Sequence, residues 1–196
     1  MHTTNGINTH NGHGFVDLGL PSGTMWATCN VGATSPEQTG LYFAWGETTG
    51  YTAEQVTSGV RAFNSANYTA PSVSENLNLE QDAARANLGG NWRMPTKRQF
   101  TELIDNCNVV WTKNYNGTGV AGRVFTSWVN GNSVFLPAAG YCSGSSVNLV
   151  GSYGNYWSDS WYSEYTAWNL YFDSGYQYLG TYYRYIGQSV RGVCKR

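Results

Sequence analysis

A chain of 196 residues with 41% hydrophobic content is long enough for one domain with a core of its own. Charged residues make up only 12%, and a net charge of −1 without a basic cluster excludes the usual nucleic-acid binder, which neutralises phosphates with Lys and Arg. No apolar run approaches the roughly 20 residues of a membrane-spanning helix, so direct membrane insertion is not expected.

The first stretch, MHTTNGINTHNGHG, is polar and rich in glycine, and it predicts a flexible tail over residues 1–13 ahead of a domain over 14–196. It has no basic region followed by an apolar one, so no signal peptide is visible; a mature or truncated chain would look the same. His2, His10 and His13 all fall here and read as tail residues rather than a preorganised metal site.

Short strands follow. Phe15–Leu20 alternates, with Val16, Leu18 and Leu20 on one face, and Pro21-Ser22-Gly23 turns the chain. Thr24–Val31 and Leu41–Trp45 read as further extended pieces, and residues 46–76 as an irregular polar excursion. Two helices are predicted. Asn78–Leu88 carries a capping box at Asn78 and Gln81 and stops at Gly89-Gly90. In the second, Thr96 caps, Gln99 completes the box, and Phe100, Leu103, Ile104 and Cys107 follow helical spacing. Beyond it the pattern is β: Arg123–Val129 and Ser133–Leu136 flank Asn130-Gly131-Asn132 as a hairpin. Trp168–Asp173, Tyr176–Tyr185 and Ser189–Cys194 complete the series.

Tyrosine is unevenly spread. Eleven of fifteen fall after position 140, among Trp, Ser, Gly and Asn, the mixture that recognition surfaces favour because rigid amphipathic rings bind at low entropic cost. In Trp168–Asp173 the alternation places Trp168, Leu170 and Phe172 inward and Asn169, Tyr171 and Asp173 outward. The competing reading is an aromatic core, and burial of the rings decides between them.

Chemistry is sparse. With no His expected in the folded body, a Ser-His or Cys-His nucleophile lacks its base. No two acids are singled out as a pair, and no nucleotide or calcium loop is present, so neither metal nor cofactor is expected. Cys29, Cys107, Cys142 and Cys194 fit no zinc spacing; three disulfide pairings, or free thiols, remain open.

Trp92-Arg93-Met94-Pro95-Thr96 before a helix, and the closing Ser189-Val190-Arg191-Gly192-Val193-Cys194, resemble landmarks of the formylglycine-generating-enzyme branch of the C-type lectin fold. Phe15–Ala33, Tyr42–Thr48, Asn91–Leu103 and Val134–Tyr141 look closer still to a surface domain of gut bacteria and their phages. Some members of that family resemble the variable proteins of diversity-generating retroelements. The resemblance covers roughly residues 14–194 and implies an α+β, C-type lectin-like fold, two helices beside irregular antiparallel β-sheets. It further implies a non-enzymatic receptor-binding or adhesion protein on a bacterial surface or virion, whose partner is a protein or glycan on a target cell. An oligomer is compatible with it.

In such proteins adenine-directed changes vary codons near the C-terminus while a frame stays fixed. Carried over, the frame is Trp157, Ser158, Ala167, Leu170, Phe172, Arg184, Gly187, Val190 and Arg191. The variable, ligand-binding positions, within about residues 150–186, are Tyr153, Asn155, Asp159, Trp161, Ser163, Tyr165, Asn169, Tyr171, Asp173, Tyr176, Tyr178, Tyr182 and Tyr183. Trp161 departs from the pattern, because adenine changes do not turn an Asn codon into a Trp codon. The cysteine motif of the oxidases and the calcium loops of sugar-binding lectins are missing, so neither activity carries over. A ligand-free stalk domain is the alternative reading, with a formylglycine-generating-type oxidase behind it.

Overall fold

In the computed structural model, which describes residues 8–195, the two ends of the chain share a sheet. Thr9–His10 (β1) and His13–Asp17 (β2) form a hairpin across Asn11-Gly12, both at positive φ, as a two-residue turn demands. Strand β2 pairs with Thr24–Asn30 (β3), which pairs with the closing strand Arg191–Lys195, giving a four-stranded antiparallel sheet. Of the tail expected over 1–13, residues 1–7, including His2, lie outside the described residues, while 8–13 belong to this hairpin. The His10 carbonyl accepts from Trp92 Nε1 at 3.0 Å and its Nε2 accepts from the Asn91 amide at 2.9 Å. His10 and His13 are therefore part of the folded body, contrary to expectation.

The α+β expectation, with its C-type lectin-like balance of two helices beside sheets, is corrected. Strands hold 39% of the residues and helices 14%, and the helices are short: Ala53–Thr57 (α1), Ala83–Leu88 (α2) and Lys97–Asp105 (α3). The capping box at Asn78 exists, with Gln81 Oε1 accepting from the Asn78 amide, but it closes an isolated turn. Leu79 in that turn is exposed, so no apolar face extends the turn into a helix, and α2 starts only where Asp82 accepts from the Arg85 amide. Helix α3 matches its predicted cap, with Thr96 and Gln99 forming both bonds of the box and Phe100 and Leu103 fully buried, but it ends at Asp105, so Cys107, expected on its stripe, opens the next strand.

Cys107–Thr112 (β4 in a second sheet), Gly122–Ser127 (β5) and Ser133–Pro137 (β6) form a three-stranded antiparallel sheet, the last two joined through the expected Asn130-Gly131-Asn132. Tyr141–Ser143 (β7) and Ser146–Asn148 (β8) make a small hairpin. A five-stranded sheet is centred on Gly154–Trp161 (β9), with Thr166–Phe172 (β10) and Gln177–Tyr183 (β11) on one side and two short strands, Gln188–Ser189 and Tyr42–Phe43, on the other.

Two of the three apolar clusters among the described residues hold the larger sheets together. One joins Phe100 and Leu103 of α3 to Phe125, Leu136, Tyr156, Leu170 and Phe172; the other gathers Phe43, Trp45, Trp92, Trp157 and Ala167. Gly154, opposite Phe172 in the ladder, leaves room for that ring: a Cβ there would lie 2.0 Å from Phe172 Cζ. Arg191 is fully buried without an acid. It donates to Asn30 Oδ1 and to the carbonyls of Ala27, Thr28 and Phe135, which ties the closing strand to two sheets. All four cysteines are free thiols, three of them buried.

Candidate functional site

Strands β9, β10 and β11 position the tyrosines. Their antiparallel register pairs Asn155 with Tyr171 and Tyr171 with Tyr178, and Trp157 with Asn169 and Asn169 with Gly180. These residues therefore share one face of the sheet, and the other face carries Tyr156, Leu170, Phe172 and Leu179 into the core. At one end of the shared face four rings form a connected group. Tyr171 meets Tyr153 edge-on at 5.2 Å, Tyr178 at 4.9 Å and Tyr176 at 6.1 Å, and Tyr176 lies 5.8 Å from Tyr178. Tyr176 and Tyr178 are exposed; Tyr153 and Tyr171 are half-buried.

Asp173 anchors this group. Its Oδ1 accepts from the Gly175 and Tyr176 amides at 2.7 and 3.1 Å, and its Oδ2 accepts from the Tyr171 hydroxyl at 3.0 Å. Partial burial works against its charge, but those donors outweigh it and hold the carboxyl below the usual carboxylate range. Burial, then the hydrogen bonds with Asp173 and Tyr153, push the Tyr171 phenol far up, so it stays a neutral donor. The Asx turn thus fixes where the Tyr176 ring stands.

Two smaller aromatic groups flank it. Tyr182 lies 5.7 Å from Tyr141, with burial pushing its phenol to about 12, and the exposed Tyr183 stacks on Tyr185 at 5.4 Å. Tyr165 and Ser163 sit in the turn between β9 and β10, where Ser163 Oγ lies 2.8 Å from Thr166 Oγ1. Tyr141 and Tyr185, outside the expected set, were visible only as members of the tyrosine excess.

Other expected site residues are placed elsewhere. Asn155 and Asn169 are each 1% exposed, so neither can touch a ligand directly. Asn169 Nδ2 donates to the buried Gln188 Oε1 at 3.0 Å, a partner that secures the side chain inside. Trp168, expected in the core, is half-buried beneath the Lys97 ammonium at 3.5 Å and the Tyr162 ring at 5.2 Å. A register shift between Trp157 and Trp161 sets Ser158, Asp159 and Ser160 opposite the single Trp168, a bulge that takes Asp159 out of the ladder. Its amide bonds the Pro95 carbonyl, and burial, with Asp82 nearby as a lesser cause, raises its carboxyl to about 6. Trp161 packs against the second core cluster. The nine expected frame positions are all buried.

Beside the tyrosine group lies a cleft of about 860 Å³. Tyr153, Asp173, Tyr176, Trp111 and Lys113 line it, and Glu37 reaches it from the loop after β3. Sequence reasoning missed Trp111, Lys113 and Glu37, which no local motif connects to the tyrosines.

A family model described as a domain of unknown function, DUF8237, matches residues 111–193, a span that includes the strands bearing the tyrosines and most of the cleft's walls. No curated protein and no solved structure matches the chain.

Proposed function

We propose that this protein is a non-enzymatic binding protein that presents a tyrosine face on a rigid strand frame to a macromolecule on a target cell. One observation carries the reading: of the eleven tyrosines after position 140, only Tyr156 is buried. An aromatic core would hide most of them, so a ligand-free packing role fits poorly. Four rings in mutual contact, set on paired strands and an Asx turn, offer large contact area with little conformational freedom left to lose. The polar surround of Asp173, Ser174 and Gln177 suits a rim that stays hydrated.

The resemblance to retroelement variable proteins supports a further step: the exposed tyrosines are diversified codons, and the buried positions between them are the frame. Sequencing the encoding locus tests it. The expected result is a nearby partial copy of the 3′ coding segment, differing mainly at adenines and accompanied by a reverse-transcriptase gene. A locus without such a copy contradicts diversification and leaves the binding surface to be tested by itself.

A further inference from the structure

The cleft next to the tyrosine group has the chemistry of a small-ligand site. Its volume of about 860 Å³ falls within the range such pockets occupy. Two of its rings have little freedom to move: Trp111 rests edge-on against Phe172 at 6.5 Å, and Tyr176 follows the Asp173 turn. Lys113 and Glu37 both line it, and neither takes part in an ion pair among the described residues. Glu37 accepts from Ser35 Oγ at 2.6 Å, which holds its carboxyl ionised and leaves other lone pairs open. The cleft thus presents a donor and an acceptor separately rather than spending them on each other.

Charge narrows the ligand class. Asp173 spends its carboxylate on the Gly175 and Tyr176 amides and the Tyr171 hydroxyl, so the lining leaves one cation, Lys113, and one carboxylate, Glu37, to face a ligand. Nothing there selects an ion. A ligand that suits the place is uncharged, has apolar faces for the rings, and carries groups that both donate and accept. Sugar hydroxyls on a pyranose ring meet all three conditions.

We propose that this cleft binds a neutral saccharide, with sugar rings against Trp111 and Tyr176 and hydroxyls bonded to Lys113 and Glu37. The site goes beyond the tyrosine face, since Tyr171 and Tyr178 do not line it. The test is a printed panel of neutral and acidic oligosaccharides, followed by calorimetric titration of the best-retained sugar. Wild type should retain neutral members. Glu37→Gln and Lys113→Ala, both surface changes checked by melting temperature, should each weaken binding about tenfold, the loss of one good hydrogen bond. Trp128→Ala, at an exposed hairpin tip, should change affinity less than about twofold. Retention of acidic members only, no retained sugar, or unchanged affinity in both cleft variants overturns the proposal. None of those results bears on alanine substitution of Tyr171 and Tyr178, which reports on the tyrosine face separately.

Discussion

At one end of the five-stranded sheet, Trp157, Ala167 and Asn169 are sealed under Phe43, Trp45 and Gln188. At the other, the same strands and the same face carry the half-buried Tyr171 and the exposed Tyr178. Along β10 and β11 a single period-2 pattern therefore runs from core to surface without changing register. What differs is the cover, and apart from Gln188 it comes from residues more than a hundred positions earlier: Trp157 Nε1 donates to the Phe43 carbonyl, and Trp45 Nε1 to that of Ser158. The division lets the exposed end vary in composition while the sealed end supplies the stability.

The largest effect expected from this contrast is on folding. Trp157→Ala should cost about 3–5 kcal/mol in chemical denaturation, the usual loss for a fully buried large ring, whereas Tyr178→Ala should stay within about 0.5–1 kcal/mol. Similar losses at both positions would break the comparison.

A pH effect sharpens it. Asp159 has a folded value of about 6 against 3.8 for an ordinary carboxyl, so the folded state binds its proton more tightly than the unfolded state. Stability from this group is highest below about pH 4, falls as pH rises through the interval to 6, and stays reduced above it. Asp159→Asn should therefore stabilise the protein by roughly 1–3 kcal/mol at pH 7.5, with the gain vanishing below pH 4. An equal gain at both pH values would show that Asp159 acts through packing rather than charge.

Helix α3 was legible because a cap, its reciprocal partner and an apolar stripe coincide within twelve residues. The hairpin at Asn130-Gly131-Asn132 was legible for a similar local reason, and Leu170 and Phe172 follow their parity into the core. Asn169 could not be placed, because burying an amide depends on company from elsewhere in the chain, here Gln188; Asn155 is buried with its Nδ2 unpartnered among the described residues, which no local pattern marks. Asp159 was misplaced by a bulge that leaves no mark in the pattern. The balance of helix and strand failed because a capping box marks a turn as readily as a helix, and only a following apolar face distinguishes them. The α1 box at Thr52 and Gln55 lay unread in the polar excursion, and the cleft joins three distant segments.

The most direct test of the tyrosine face is an equilibrium titration of fluorescently labelled protein on a panel of intact bacterial cells. Wild type and a variant with Tyr171 and Tyr178 both changed to Ala are titrated together, with melting temperatures recorded for both. Wild type should bind saturably to at least one cell type, and the variant should lose about a hundredfold or more, as for two hot-spot rings removed at once. The variant should still unfold cooperatively. Equal affinity of the two folded proteins would contradict a binding role for the tyrosine face.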